Sequence, residues 1–502
     1  MSATHAPHDD PDLAEVSAWL RARADRVIET HIGQVFLIGD QAYKLKKAVN
    51  LGYLDFSTAD RRAWAIRREL EFNRRTAPDL YRSVQTVTRR ADGTLALDDG
   101  GQALECVLVM RRFDPETVLA NTPQRVQGDF AEALGRQVAG FHAGAEVRRR
   151  GAEALGYVVR SNAEHLRQLV PMLGRDAVET LIAATEAELE RSEAALDRRG
   201  ATGQVRRCHG DLHLGNILGE DDRAVLFDCI EFSDALSEID VLYDLAFLLM
   251  DLVFRGQGEG ASRVFNGYLD EAARSFGDAA LEGLSLLPLF LSVRAAVRAH
   301  VEAQQGDADA GRAYLQAAIG HLAWPESRLR AVGGLSGSGK STAARALAPT
   351  LGSPPGAVVL RSDEIRKRLW GRSPREALPA QAYTPGISER VYGRMLHEAA
   401  VALAAGRSVV LDAVFLRSEE RAAAEALATR MHVAFEGLWL EASPEVLAQR
   451  LAGRRNDASD ADGAVLAEQL RRDPGEITWK MGGDSLLLPA GEKEGPRRSL
   501  GG

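Results

Sequence analysis

Apolar positions over residues 11–30 recur every three to four residues, the period of an amphipathic helix. The period then shortens. VFLIG at 35–39 and AYKLKK at 42–47, joined by the Gly39-Asp40 turn, read as the two strands of a hairpin. Residues 57–75 are helical again, and Pro78 stops that helix. TVTRRADGTLALDDG predicts a second hairpin turning at Asp92-Gly93, and ECVLVMRRF at 105–113 a further strand. This is a small mixed lobe of strands around one main helix. Beyond Asp114 long helical patterns cover 126–149, 160–198, 236–275 and 279–322, interrupted by a polar stretch at 207–234. The helices end at Trp324-Pro325. From Leu329 the order becomes strand, glycine loop, helix, then short apolar runs alternating with helices, the pattern of an α/β domain with a central parallel sheet. The expected organisation is a two-lobed α+β domain over 1–324, its small lobe reaching to about 113, and an α/β domain over 325–488. The tail at 489–502 has little apolar content to bury and is expected to be disordered.

Composition narrows the class. Apolar residues are 45% and charged residues 26% of 502, with a formal charge of −9, so the chain has a globular balance and no strongly basic nucleic-acid footprint. Cys106, Cys208 and Cys229 show neither disulfide-framework nor zinc spacing, and buried thiols are expected. The opening MSATHAPHDD is unlike a secretory signal. The most apolar run, VLYDLAFLLMDL at 241–252, is too short and too charged to span a bilayer. A cytoplasmic protein with no membrane partner is the expectation.

Gly334-Leu335-Ser336-Gly337-Ser338-Gly339-Lys340-Ser341 is a complete G-x-x-x-x-G-K-S, flanked by strand-like LRAVG and by a helix opening at Thr342. Gly334, Gly337 and Gly339 let successive amides curl round an oxyanion, and the helix N-terminus points at it. Lys340 reaches the β and γ phosphates of ATP, and Ser341 holds Mg2+. Downstream, AVVLRSDEIRKRL ends a strand and places Asp363 and Arg366 three apart at a helix start. An aspartate there can accept the proton of an attacking hydroxyl, and an arginine one turn on can hold an anionic acceptor. Asp412, closing the apolar run SVVLD, can organise metal-bound water or the acceptor. After the helix start Ser443-Pro444-Glu445, Arg450 and Arg454 share one face, suited to a lid that neutralises charge developing on the phosphates.

A second set of phosphoryl-transfer residues lies in the helical lobe. In CHGDLHLGNIL at 208–218 followed by AVLFDCIEF, Asp211 can deprotonate a hydroxyl, Asn216 can coordinate Mg2+, and Asp228 can bridge that ion to phosphate. Carboxylates gathered this tightly need a cation or donors to relieve their repulsion.

Two resemblances follow from these motifs. Residues 325–488 resemble the P-loop kinases that include polynucleotide 5′-hydroxyl kinases, gluconate-type kinases and zeta-toxin-like phosphotransferases. RSDEIR matches the base aspartate and acceptor arginine of the polynucleotide kinases, VVLDAVFLR their second acidic strand end, and QRLAGRR their lid. Residues 30–322 resemble aminoglycoside phosphotransferases and related protein-kinase-like enzymes: His209, Asp211 and Asn216 fall on the catalytic loop, Asp228 on the second metal aspartate, and Asp240 and Asp244 on the helix that anchors the loop. In that family a strand lysine binds phosphate and a helix glutamate pairs with it. Lys44 or Lys46 fits the first role, and Glu69, with Glu71 as alternative, the second. The glycine-rich cover of the family is not visible at Gly33 or Gly39. Together the resemblances imply a bilobal protein-kinase-like domain fused to a P-loop kinase domain, transferring phosphate from ATP with Mg2+ to a hydroxyl-bearing acceptor, either a nucleic-acid 5′ end or a small polyol. They leave open a main role for the first domain with a regulatory P-loop domain, and a non-catalytic ATP switch.

Overall fold

The computed structural model describes residues 10–50, 54–453 and 458–482; the 489–502 tail and Arg454 lie outside them. The chain divides into two compact units. One is formed by residues up to 126 with 144–255 and 293–311, the other by 127–143, 256–292 and 312 onward.

In the first unit, α1 (Pro11–Arg21) starts at an Asp10 cap with Pro11 in its first turn and ends well short of residue 30. The expected long helix stops there because Arg26–Glu29 forms strand β1, in which β-branched Val27 and Ile28 pair with β2 (Gly33–Ile38). Strands β3 (Gln41–Lys46), β4 (Tyr81–Arg89), β5 (Leu95–Leu97) and β6 (Gln102–Arg111) complete an antiparallel sheet ordered β1-β2-β3-β6-β4-β5. Helix α2 (Ala59–Asn73), capped by Thr58, packs on it. Ile66, Leu80, Leu108 and Leu218 share the core beneath, each fully buried aliphatic contributing roughly 1.5–3 kcal/mol.

The helical lobe is more broken than its sequence periodicity predicts. The pattern at 160–198 is three helices, α4 (Ala152–Gln168), a single turn α5 (Val170–Leu173) and α6 (Arg175–Ala201). Gly174, at φ 90°, sets the last break. The polar stretch carries strands β7 (Val205–Arg207), β8 (Ile217–Glu220) and β9 (Arg223–Leu226), then the short α7 (Asp234–Ser237) and β10 (Glu238–Asp240). Helix α8 (Val241–Phe254), the apolar run noted above, is buried over nearly its whole length.

The second unit holds α3 (Gly128–Gly144), α9 (Gly258–Phe276) and α10 (Ala279–Glu282). Helices α11 (Leu287–Gln304) and α12 (Ala308–His321), parted at Gly306, whose φ is 98°, follow in the chain, with residues 293–311 belonging to the first unit. Ala279–Gln304 is the one stretch among the described residues long and apolar enough to cross a membrane. Its most apolar window is 83% buried, as in a core helix. Then come β11 (Arg328–Gly334), α13 (Lys340–Leu347), β12 (Val358–Arg361), α14 (Ser362–Leu369), α15 (Pro385–Ala404), β13 (Val409–Asp412), α16 (Ser418–Arg430), β14 (Ala434–Leu440), α17 (Pro444–Gly453), α18 (Gly463–Leu470) and β15 (Lys480–Gly482). The five strands form one parallel sheet ordered β12-β13-β11-β14-β15. The glycine loop leaves the middle strand at its C-terminal edge, where parallel sheets bind ligands.

Candidate functional site

In the second unit the loop geometry follows from its glycines. Gly337 and Gly339 have φ of 88° and 92°, conformations that side chains rarely adopt. A Cβ on Gly337 would stand 2.7 Å from the Leu447 carbonyl oxygen. The Lys340 ammonium donates to the Leu335 carbonyl at 2.9 Å, so the loop folds over its own lysine. The Ser338 hydroxyl is buried with no partner. This cradle of backbone amides around a lysine fits a polyphosphate.

The loop opens into a cavity of about 1220 Å³ that gathers Lys340, Ser341, Thr342, Asp363, Asp412 and Arg450. Gly337, Gly339 and Arg366 also line it, while Gly334 sits behind, against the Leu440 carbonyl. Arg361 and Asp412 are register partners on neighbouring strands β12 and β13. The Arg361 guanidinium therefore lies across the strand ends. It donates to Asp412 Oδ2 at 3.2 Å, to Ser341 Oγ at 3.0 Å and to Glu364 Oε1 at 3.2 Å. A hydroxyl and a carboxylate already spanned by one cation are a hard-oxygen pair of the kind that holds Mg2+.

Asp363 stands in the first turn of α14. Burial pushes its carboxyl above the ordinary range and Asp412 adds to this, against the pull of Arg361, Lys340 and a Ser459 hydrogen bond. Arg366 lines the same cavity as Asp363. It is buried and donates to the Ala382 carbonyl at 2.6 Å and towards Ser388 Oγ at 3.4 Å, with its guanidinium over the Tyr383 ring. Its Nε is buried without a hydrogen-bond partner.

Sequence reading missed Arg361 and also Asp460. The Asp460 carboxylate takes Tyr383 Oη at 2.7 Å, Lys367 Nζ at 3.0 Å and the Leu378 amide at 3.1 Å, tying the segment after α17 to the loop before α15. No local pattern marks such a residue, because its partners lie about 80 to 90 positions away.

In the first unit the alternatives at the strand lysines resolve into one buried cluster. Lys44 Nζ meets Glu69 Oε1 at 2.6 Å and Asp228 Oδ1 at 2.9 Å. Lys46 Nζ meets Glu69 Oε2 and Glu231 Oε1, each at 2.6 Å. Burial alone would raise the Glu69 carboxyl, but the two ammonium groups hold it down at about 2. Glu231 is the acidic end of the FDCIEF stretch, visible in the sequence without its partner. Asp228 has φ 61°, and its amide donates to Tyr81 Oη.

The catalytic-loop residues converge as well. Asn216 Nδ2 donates to the Asp211 carbonyl and to Asp211 Oδ2, both at 2.9 Å, which turns the amide oxygen away from that carboxylate. Burial opposes ionisation of Asp211, yet His213, 3.4 Å away, and His209 keep its carboxyl far below the usual range. Asp244 accepts the His209 and Gly210 amides at 3.0 and 2.9 Å, and Asp240 pairs with Arg199. Asp244 holds the loop directly, whereas Asp240 caps α8 through the Leu242 amide and ties it to α6. Asp251, which accepts the Leu214 amide at 3.0 Å, also holds the loop and was not anticipated. Asn216 and Asp228 supply oxygen donors of the kind that hold Mg2+. The turn between β1 and β2, where a phosphate cover would lie, is the tight Thr30–Gly33 loop closed by a 2.9 Å backbone bond.

The sequence matches the phosphotransferase enzyme family over residues 38–284 and the AAA domain family over 329–473. Uncharacterized proteins of Mycobacterium tuberculosis and Mycobacterium bovis are 33% identical over 496 residues, covering 95% of this chain and 94% of theirs. Among solved structures, a thermostable mutant of aminoglycoside phosphotransferase APH(4)-Ia aligns with 62% of this chain and 98% of its own, at 12% identity and a TM-score of 0.38. A gluconokinase from Sinorhizobium meliloti aligns with 33% of this chain and 85% of its own, at 24% identity and a TM-score of 0.22. The chain belongs to the family of these mycobacterial proteins; its own phosphotransferase-family domain precedes a P-loop domain, and it is an ATP-dependent kinase.

Proposed function

We propose that the P-loop site performs the main transfer, moving the γ-phosphate of ATP to a small hydroxyl-bearing acceptor, and that the protein-kinase-like site is a second phosphotransfer site. The carrying observation is the gathering of Lys340, Ser341, Asp363, Asp412 and Arg450 on one cavity of about 1220 Å³. Lys340 and the loop amides hold the phosphates, and Arg450 neutralises charge as transfer proceeds. Ser341 and Asp412 would hold Mg2+, which supplies charge neutralisation at the phosphates. Asp363 takes the proton of the acceptor hydroxyl, and its raised carboxyl pKa brings it closer to the working range of a base.

Small polyols are favoured over a nucleic-acid 5′ end because the formal charge of −9 works against a polyanionic acceptor. The test is a γ-labelled ATP transfer screen with the full chain over gluconate-like polyols, 5′-hydroxyl RNA and 5′-hydroxyl DNA. Transfer to polyols that disappears in Lys340→Ala is expected. Efficient transfer to 5′-hydroxyl ends alone would replace the polyol reading with a polynucleotide one.

In the first unit Asp211 is the corresponding base, with Lys44 on phosphate. Asn216 and Asp228 are the residues that would hold a metal there.

A further inference from the structure

Helices α3 and α9 lie inside the span that matches the phosphotransferase family, yet they pack in one unit with the P-loop sheet. Their contacts with it are specific. β12 is an edge strand, and Asn266 of α9 completes it as a neighbouring strand would. Its Oδ1 accepts the Val359 amide at 2.7 Å and its Nδ2 donates to the Ala357 carbonyl at 3.2 Å. Glu132 of α3 takes Arg345, on the P-loop helix α13, through both carboxylate oxygens at 2.7 and 3.1 Å.

A line of alternating charge runs from these helices to the metal-ligand pair. Asp270 of α9 pairs with Arg136 of α3, and Arg136 Nη2 reaches Glu364 Oε1 at 3.1 Å. The same Glu364 oxygen takes Arg361 Nη1 at 3.2 Å. Arg361 in turn spans Asp412 and Ser341. Asp270, Glu364, Arg361 and Asp412 are all at least nine-tenths buried, so each charge depends on its neighbour rather than on water.

We propose that Arg136 and Asp270 are positioning residues of the P-loop kinase site, acting through Glu364 and Arg361 on the spacing of Ser341 and Asp412. The P-loop kinase then requires helices from the phosphotransferase-like part of the chain, and excising residues from 325 onward removes part of its own site. This rests on the reading of the P-loop site as catalytic.

The test uses the full chain and the Lys340-dependent part of ATP hydrolysis, with water as acceptor. Arg136→Leu is expected to lower kcat about tenfold while KM for ATP stays within about twofold, and Arg136→Lys to recover most of the loss. Because the residues act as one line, Arg136→Leu combined with Glu364→Gln falls no further than the worse single variant. Two readouts separate positioning from simple destabilisation. The gain in AMP-PNP affinity on adding Mg2+, read by calorimetry, shrinks in Arg136→Leu. The acid limb of kcat also moves to higher pH, since of the groups facing Asp363, among them Arg361, Lys340, Asp412, Ser459 and Tyr383, the one whose alignment is lost is a cation. If Arg136→Leu does not fold, Asp270→Asn carries the same expectations. A folded Arg136→Leu with wild-type kcat, Mg2+ dependence and acid limb overturns the proposal, as do single effects that multiply in the double variant. Hydrolysis insensitive to Lys340→Ala overturns the P-loop reading itself and the proposal with it.

Discussion

The two proposed phosphate sites are built by different means. In the protein-kinase-like site the charge proposed for phosphate, Lys44, is already matched on both sides, by Glu69 at 2.6 Å and Asp228 at 2.9 Å. A phosphate entering there has to take a share of Lys44 from carboxylates. In the P-loop site the cradle is made mainly of backbone amides fixed by the positive φ of Gly337 and Gly339, and such amides exchange no ionic partner. The proposed bases differ in the same sense. The Asp211 carboxyl is held down by histidines and the Asp363 carboxyl is pushed up by burial. A site built from side-chain charges gains switchability, and a site built from backbone gains readiness.

The comparison breaks most visibly at the bases. Asp363→Ala is expected to reduce Lys340-dependent transfer about 10²–10⁴-fold while AMP-PNP affinity changes little, since the base acts on the acceptor hydroxyl. Parallel kinetics and calorimetry check this, and a large loss of nucleotide affinity would move Asp363 from base to nucleotide ligand.

Next in size is the buried cluster of the first unit. Glu69→Ala leaves Lys44 and Lys46 each short of a partner and is expected to destabilise that unit by about 3–5 kcal/mol. Thermal denaturation reads it. The Glu69 carboxyl is about 2 when folded, below its unfolded value, so its contribution is present above the unfolded pKa and is lost as pH falls towards 2. A Glu69→Ala chain of unchanged Tm would show that Asp228 and Glu231 suffice.

The smallest effect sharpens the contrast. A base works deprotonated, so a raised pKa stops transfer at a higher pH as the solution is acidified. The acid limb of Lys340-dependent transfer is therefore expected at higher pH than that of Asp211-dependent transfer, measured in Asp211→Ala and Lys340→Ala chains respectively. Coincident limbs would show that the two carboxyls are not the groups being titrated.

Much of both sites was legible because it is local. The loop at 334–341 and the segment at 208–218 carry their chemistry within a dozen residues. The parallel sheet followed from apolar runs alternating with helices. What stayed hidden depends on long-range pairing. Arg361 looked like an ordinary strand end until β12 and β13 came into register. Glu231 had no visible partner until β3 brought Lys46 to it. Strand β1 was read as helix because Val27 and Ile28 continue a helical period, and only their pairing with β2 decides otherwise. Periodicity also ran straight through Gly174 and Gly306, whose positive φ breaks the helices. Arg366 was visible by its spacing, three residues from Asp363, but spacing does not reveal its bonds to Ala382 and Ser388.

The central claim is that the P-loop site carries the main transfer, and the most direct measurement is total γ-phosphate turnover by Lys340→Ala and Asp211→Ala chains side by side, each confirmed folded. The account predicts that Lys340→Ala removes most of the turnover and that Asp211→Ala leaves most of it. A Lys340→Ala chain that turns over ATP at the wild-type rate, beside an inactive Asp211→Ala chain, would contradict it and make the protein-kinase-like site the main one.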